Sequence, residues 1–471
     1  MADYDVVAIG AGTGGLTVTR LTAKAGKRVA MVERFKPGGD CLFTGCVPTK
    51  SLIHAAKVYH HAKHGAHLGV VANDLRLDYA AVRRHVLAAQ EQAGKVETPE
   101  AIASHGVELV TGEARFLDAH TLDVGGRRMT AANIVIATGG EPAVPPIPGL
   151  REAGFDTNVQ LVAWETLPES LCVIGGGPIG VEFAQVMARF GVKVTLLQSA
   201  ERILERDDPE AAEVVAAVLR REGVDVRTGV KVTGVEGGDG GRTVTFEQDG
   251  RTGRVTCERL LVAAGRKPEI GSLDLAKAGV VANERGVVVD EQLRTNVRHI
   301  FAVGDVAGGY QFTHVAEAHA RLVANLINKP GFLAKRFQKW NDRVVPRVTY
   351  TDPEVASVGL TEAQARAARK GVRVWTVPLR DIDRAVTMGQ MEGFFRVVTA
   401  KGWQSKLGLA GSLGDEIVGA CLVGPNAGDC LMPLVVAMKA RLPIGIVAWN
   451  MQAYPTMALG VRQVTGAPFD A

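Results

Sequence analysis

Two cysteines, Cys41 and Cys46, stand five positions apart in the run GGDCLFTGCVPTKSLI at residues 38–53. The glycines ahead of them and the pattern after them predict a helix starting near Val47, so a disulfide between the two would sit at a helix N-terminus. Free backbone N–H groups and the positive end of the helix dipole favour a thiolate there, lower the pKa of the nearer sulfur and make such a bridge easy to cycle. A structural staple gains little from this spacing, because so short a loop removes little chain entropy from the unfolded state. Two unrelated free thiols are the remaining reading, disfavoured by two nucleotide-binding patterns elsewhere in the chain.

The first of these patterns opens the chain. Residues 5–9 (DVVAI) read as a buried parallel strand leading into Gly10-Ala11-Gly12-Thr13-Gly14-Gly15, a G-x-G-x-x-G turn that opens a helix. Gly10, Gly12 and Gly15 allow the tight turn, the approach of backbone to a pyrophosphate and close packing of helix on strand. A second strand at 28–32 ends in Glu33, where a carboxylate can accept from a ribose hydroxyl. Prolines at 142, 145, 146 and 148 form a natural linker. The arrangement then repeats, with a strand at 171–174, the loop Gly175-Gly176-Gly177-Pro178-Ile179-Gly180, a helix over 181–190 and a strand over 192–197. Two fingerprints imply two dinucleotides, one held and one exchangeable, because electrons must enter from outside. An acid after the second unit's strand would favour NADH and an arginine pair NADPH. Gln198 and Ser199 stand there, with Arg202 further on, so the coenzyme choice stays open.

These motifs, together with YTDPEVASVGLTE at 350–362, resemble the flavoprotein disulfide reductase family, which includes dihydrolipoamide dehydrogenase, glutathione reductase and mercuric reductase. The likeness runs nearly the whole length, and C-x4-C followed by V-P-T-K is its most specific part. It implies an α/β protein with two Rossmann-like domains, one for FAD and one for NAD(P)H, and a C-terminal α+β dimerisation domain. On that pattern residues 1–150 and 271–340 form the FAD domain, 151–270 the NAD(P) domain, and 341–471 the interface domain of a homodimer. Cys46, nearer the helix start, is expected to be the flavin-proximal thiolate and Cys41 the sulfur that meets substrate. The resemblance pairs Lys50 with Glu182, expected in the first turn of its helix, beside the flavin's reactive nitrogen; the plainer alternative for Glu182 is a surface acid. It also assigns Gly39, Thr138, Gly139, Gly304 and Asp305 to FAD, and Gly175, Gly177, Ile179, Gly180 and Gln198 to NAD(P)H, with Gly265 where the chain leaves the nicotinamide domain.

One motif departs from the family. Its disulfide-reducing members end in H-P-T-x-x-E, whose histidine protonates the leaving thiolate and whose glutamate orients it. Here the residues are Tyr454-Pro455-Thr456-Met457-Ala458-Leu459, and the last histidine in the chain is His319. A tyrosine hydroxyl, with an ordinary pKa of about 10, is a poor proton shuttle at neutral pH. Losing a positioned acid–base costs on the order of 100- to 10,000-fold. The pattern therefore points away from ordinary disulfides and toward a soft metal ion, a small oxidant or a quinone. The mercuric reductase branch carries tyrosine at this place, where Tyr454 is expected to line the partner's pocket, yet this chain ends VTGAPFDA without vicinal cysteines. The expectation is an NAD(P)H oxidoreductase with an unidentified acceptor; its rivals are dihydrolipoamide oxidation and a flavin-only quinone reductase with bystander cysteines.

With 471 residues, 46% of them hydrophobic, the chain can bury a core divided over several domains. A formal charge of +4 from interspersed Lys and Arg, without a basic block, speaks against nucleic acid or an anionic membrane as partner. No run is long enough to span a bilayer and no leader pattern opens the chain, so a cytoplasmic enzyme is expected. Cys172, Cys257, Cys421 and Cys430 read as small core residues. The helix after Cys46 carries His54, His60, His61, His64 and His67. His60 with His64, or His61 with His64, has a spacing that can hold a metal, but the face reads as a solvated one with no carboxylate near it. Residues 77–100 predict one long amphipathic helix.

Overall fold

The computed structural model describes residues 2–238, 241–329, 338–402, 407 and 411–467. Val6–Ile9 is buried at every position, as a strand covered on both faces must be. It lies at the centre of a parallel five-stranded sheet, with Val29–Glu33 and Val107–Thr111 on one side and Ile134–Ile136 and Ile300–Ala302 on the other. The last of these strands follows the second nucleotide unit, so the chain leaves this sheet and returns to complete it. The register sets Ile9 level with Val32 and Ile136. The glycine turn, Glu33 and the turn at 137–139 therefore share one carboxyl edge, the place where open α/β sheets bind ligands.

A second parallel sheet repeats the plan, with Ser170–Ile174 between Lys193–Leu197 and Arg259–Val262 and Asp225–Arg227 outermost. From residue 347 onward the pattern changes to an antiparallel sheet of Arg347–Thr349, Glu354–Gly359, Glu416–Gly424, Phe394–Ala400 and Arg373–Pro378. This is the α/β architecture with a C-terminal α+β unit that the sequence predicts. Among the described residues no helix is long and apolar enough to cross a membrane. The closing residues 468–471 of the VTGAPFDA stretch lie outside the described residues.

Local details differ from expectation. The redox helix, Cys46–Lys63, begins at Cys46 itself, and a short helix, Gly39–Phe43, carries Cys41. Residues 77–100 form two helices, Tyr79–Gly94 and Pro99–Ser104. Thr98 accepts the Ala101 N–H as a fresh N-cap, and Pro99 has no N–H with which to extend the first helix. The histidine face is not simply solvated, and carboxylates do approach it. His61 Nε2 lies 3.0 Å from Asp352 Oδ2, while His60 packs tilted against the His64 ring, centroids 4.3 Å apart, and lies 3.8 Å from Glu222. Both carboxylates arrive from far along the chain, beyond the reach of helical periodicity. Burial pushes His60 down to about 4, so it is neutral at physiological pH. Among the described residues no group of three or more His, Cys, Asp or Glu side chains is placed to hold a metal ion. Cys172, Cys257, Cys421 and Cys430 are buried and unbridged.

The same carboxylates bind Arg189, whose side chain is 4% exposed. Its guanidinium donates to Glu222 at 2.7 and 2.9 Å and to Asp352 at 3.1 Å, fastening the helix Pro178–Arg189 to the C-terminal unit. Arg189→Met would take from buried Glu222 its one salt-bridging arginine and leave it Gln185, and would leave Asp352 with Lys57 and His61 alone, a loss of about 1–3 kcal/mol, read as a lower urea midpoint. An unchanged midpoint would show that the cluster contributes nothing to the join.

Candidate active site

The first glycine turn has no room for side chains. Gly10 has φ +105°, and a Cβ on it would come within 2.4 Å of the Ala137 carbonyl oxygen; a Cβ on Gly15 would stand 1.8 Å from the Gly10 oxygen. Gly39 lays its backbone against Gly12. The helix Thr13–Ala23 has no side-chain cap and no acid in its first turn, so its leading N–H groups are free for an anion. Ala11 N–H donates to Glu33 Oε2 and Phe35 N–H to Oε1, both at 2.8 Å, which holds the carboxylate at the sheet edge. Thr138 Oγ1 donates to the Glu269 carbonyl at 2.6 Å, beside Gly139. Gly304 N–H donates to His319 Nδ1 at 3.2 Å; burial pushes that imidazole down to about 4 and keeps it a neutral acceptor. Burial pushes the Asp305 carboxyl up, and Arg266, whose Nε donates to it at 3.1 Å, pulls it back. Arg266 also bonds Asp40, next to Cys41, and so ties the redox loop to Asp305. Free N–H groups, a side-chain-free turn and carboxylates at the sheet edge fit a bound dinucleotide such as FAD.

Gly10, Gly12, Glu33, Gly39, Thr138 and Asp305 line one cleft of about 720 Å³, which also takes in Cys41, Cys46, Lys50, Ile179 and Glu182. The second nucleotide helix thus reaches into the cleft that the first turn opens. Cys41 and Cys46 are unbridged thiols here. Cys46 is exposed to the open cleft, and its hydrogen bond with Cys41 is the main reason that it is held down to about 5, against partial desolvation by the cleft walls and with Thr313 and Lys50 adding to the effect. The same bond, together with burial, pushes Cys41 up. Cys41 therefore keeps the proton and Cys46 is the thiolate. Thr313 Oγ1 lies 3.4 Å from Cys46 Sγ and opens the helix Thr313–Asn328. Neither that helix nor the redox helix has a side-chain cap, so two helix N-termini converge on one sulfur.

Lys50 Nζ donates to Glu182 Oε2 at 3.0 Å and stands 4.4 Å from the centre of the Tyr350 ring, while Tyr350 N–H donates to Glu182 Oε1 at 2.8 Å. Burial opposes the charge on Lys50, but Glu182 more than offsets it and the ammonium is held above its ordinary range. Glu182 is 6% exposed and lies beyond the first turn, because its helix begins at Pro178. It is not a surface acid.

Other predicted residues lie apart. Gly175, Gly177 and Gly180 build the second turn and do not line this cleft; Gln198 Oε1 accepts from Gly176 N–H at 2.8 Å. Gly265 follows the edge strand Arg259–Val262 and accepts the Ala143 N–H at 2.9 Å. Tyr454 is 69% exposed, outside the cleft of its own chain, with its hydroxyl 3.0 Å from Asp383 Oδ2. Sequence reasoning missed Thr313, Tyr350 and Arg266. Tyr350 opens the YTDPE segment and Arg266 lies in LLVAAGRKP, so both motifs were in view without their roles; Thr313 carried no local signal. His314, next to Thr313, turns its Nε2 to the Pro346 carbonyl at 3.0 Å.

The family described as pyridine nucleotide-disulphide oxidoreductase matches residues 4–320, and the dimerisation domain of that family matches residues 345–464. The chain is 35% identical to a mercuric reductase of Bacillus cereus over 461 residues, covering 98% of this chain and 70% of that one. It is 33% identical to a dihydrolipoyl dehydrogenase of Geobacillus stearothermophilus, covering 97% and 94%. The solved HOCl-induced flavoprotein disulfide reductase RclA from Escherichia coli matches with a TM-score of 0.85 at 30% identity, covering 98% of this chain and 99% of that one. A Cu(II) complex of the same reductase matches equally well, with a TM-score of 0.85 at 29% identity and the same coverage. With the glycine turns, the paired thiols and the C-terminal sheet all in place, the chain belongs to the pyridine nucleotide-disulphide oxidoreductases, an enzyme family that uses FAD and NAD(P)H.

Proposed function

We propose that this enzyme takes electrons from NAD(P)H through FAD to the Cys41–Cys46 disulfide and delivers them to a soft metal ion or small oxidant rather than to an ordinary disulfide. The observation that carries the reading is Tyr454, which stands where a disulfide-reducing member needs an acid–base. Its hydrogen bond to Asp383 raises the phenol's pKa further and makes it a still poorer proton donor. Relatives named mercuric reductase, and the Cu(II) complex of a solved relative, support a soft-metal acceptor.

When bound, FAD would take a hydride from NAD(P)H and hand its two electrons to the sulfurs. Opening the disulfide leaves Cys46 as the thiolate, held by Thr313, Lys50 and two helix N-termini, while Cys41 takes up the proton. A soft divalent ion displaces that proton, since thiolates are the ligands such ions prefer. Two electrons then leave the sulfur pair as the disulfide re-forms, reducing one ion by two electrons or two ions by one each. No leaving thiolate of a substrate has to be protonated, so the absent imidazole costs this reaction nothing.

The reading includes a homodimer in which Tyr454 reaches the partner's cleft. Ile446, Trp449, Met451 and Tyr454 are 54%, 76%, 94% and 69% exposed in the segment that matches the dimerisation domain. Large apolar side chains gathered on one exposed segment mark a contact surface.

Two measurements test this chemistry. Anaerobic reduction with NADH should give a long-wavelength thiolate-to-flavin absorption that is present above about pH 5 and fades as acid protonates Cys46 through that value. Thr313→Val should move the midpoint up by about one unit, the worth of a hydrogen bond to a charged group, and Thr313→Ser should leave it in place. An unmoved midpoint in Thr313→Val would remove the hydroxyl from the account. In steady state, turnover with Hg(II) or Cu(II) should exceed turnover with lipoamide by on the order of 100-fold or more. Cys41→Ala and Cys46→Ala should each abolish the metal reaction. Faster turnover with lipoamide than with every metal ion or small oxidant would overturn the proposal, and metal reduction that survives both substitutions would transfer it to a flavin-only path.

A further inference from the structure

The two glycine turns are built alike, and their likeness isolates one difference. Gly175 repeats Gly10, with φ +114° against +105°, and a Cβ on it would stand 2.4 Å from the Ala263 carbonyl oxygen, as one on Gly10 would from that of Ala137. Gly180 repeats Gly15, with a Cβ 1.9 Å against 1.8 Å from the oxygen of the turn's first glycine. Gly175 N–H donates to the Leu197 carbonyl at 2.9 Å, as Gly10 N–H does to that of Val32 at 2.8 Å. The next N–H in each turn reaches a side chain at the end of the second strand: Ala11 to Glu33 Oε2, and Gly176 to Gln198 Oε1, both at 2.8 Å. Gln198 therefore occupies in the second unit the place that Glu33 occupies in the first.

The consequence is a change of hydrogen-bonding sense. With its oxygen committed to Gly176, Gln198 leaves its Nε2 donor as the group that a ribose would meet. A carboxylate at this place accepts from a 2′-hydroxyl and repels a 2′-phosphate. An amide N–H can donate to either. The following loop folds back on the turn, with Leu204 N–H donating to the Gly176 carbonyl at 2.9 Å. It carries Glu201, Arg202, Glu205 and Arg206 ahead of the buried Asp207 and Asp208, which are paired with Arg347 and Arg396, so its unburied charges are two of each sign and neither exclude a phosphate nor demand one. The helix Pro178–Arg189 has no side-chain cap and no acid in its first turn, leaving its N-terminus for the pyrophosphate common to both coenzymes.

We propose that the second nucleotide site accepts nicotinamide dinucleotides with and without a 2′-phosphate, and that Gln198 is the residue that removes the discrimination. The inference rests on the reading of this turn as the NAD(P)H site. Calorimetric titration of the flavin-loaded enzyme with NAD+ and with NADP+, alongside kcat/KM for NADH and NADPH with one acceptor, tests it. The two dissociation constants of the wild-type enzyme should lie within about tenfold of each other. Gln198→Glu keeps an acceptor for Gly176 N–H, as Glu33 does for Ala11, and should weaken NADP+ relative to NAD+ by at least about tenfold through like-charge repulsion. A wild-type preference above about 100-fold for either coenzyme would overturn the inference, and that comparison needs no variant. An unchanged ratio in a Gln198→Glu enzyme of normal flavin content and melting temperature would overturn it as well. Binding of neither dinucleotide would instead remove the assignment of the site on which the inference rests.

Discussion

The Glu182 carboxylate binds with both oxygens, one to Lys50 Nζ and the other to the backbone N–H of Tyr350. Lys50 belongs to the redox helix, Glu182 to the second nucleotide helix and Tyr350 to the entry of the C-terminal sheet, so one side chain joins three distant parts of the chain where the sulfurs meet the cleft. A buried pair of this kind is a weak source of stability, because desolvation offsets most of the attraction. Its product is placement. With Oε1 held by Tyr350 and the ammonium resting on that residue's ring, Lys50 is tied to both residues, and its charge lies near enough to Cys46 to favour the thiolate.

The same two helices extend the join. Lys57 and His61 follow Lys50 along one face of the redox helix, Gln185 and Arg189 follow Glu182 along the other helix, and all four reach Asp352. Gln185 exchanges two hydrogen bonds with the Asp352 backbone, at 2.8 and 3.0 Å. Burial alone would push the Asp352 carboxyl up, yet His61, Lys57 and Arg189 hold it well below the usual range. The stretch 350–352 is gripped along its length, so the C-terminal unit cannot shift without disturbing the lysine that faces the thiolate. Docking of that unit and the electrostatics of the sulfur pair are thereby one problem.

Cys46 shows how several modest effects combine. The neighbouring thiol, a hydroxyl, a nearby ammonium and two helix N-termini all favour the same charge, and together they outweigh the partial desolvation that opposes it. Cys41 goes the other way, pushed up by its interaction with Cys46 and by burial.

Much of the site was legible in the chain. The cysteine pair, both glycine turns and Glu33 are read from neighbours in sequence, since a glycine forced to positive φ and a carboxylate at a strand end answer to local geometry. The pairing of Lys50 with Glu182 came through resemblance, and the two-oxygen grip on Glu182 did not, because Tyr350 lies far away in the chain. Thr313, Arg266 and the carboxylates opposite the histidine face were hidden for the same reason: nothing in a local period announces a partner from another sheet. Even the break at Thr98 and Pro99, a local signal, was overridden by a longer apolar period. What the sequence by itself determined is the inventory of reactive groups and the turns that carry them, since these follow from short-range sterics and hydrogen bonding. Which distant groups support the charge expected on Cys46, and which atom of Gln198 is left for a ligand, only the tertiary structure decided, because a side chain's surroundings and its free donor depend on what long-range folding places against it.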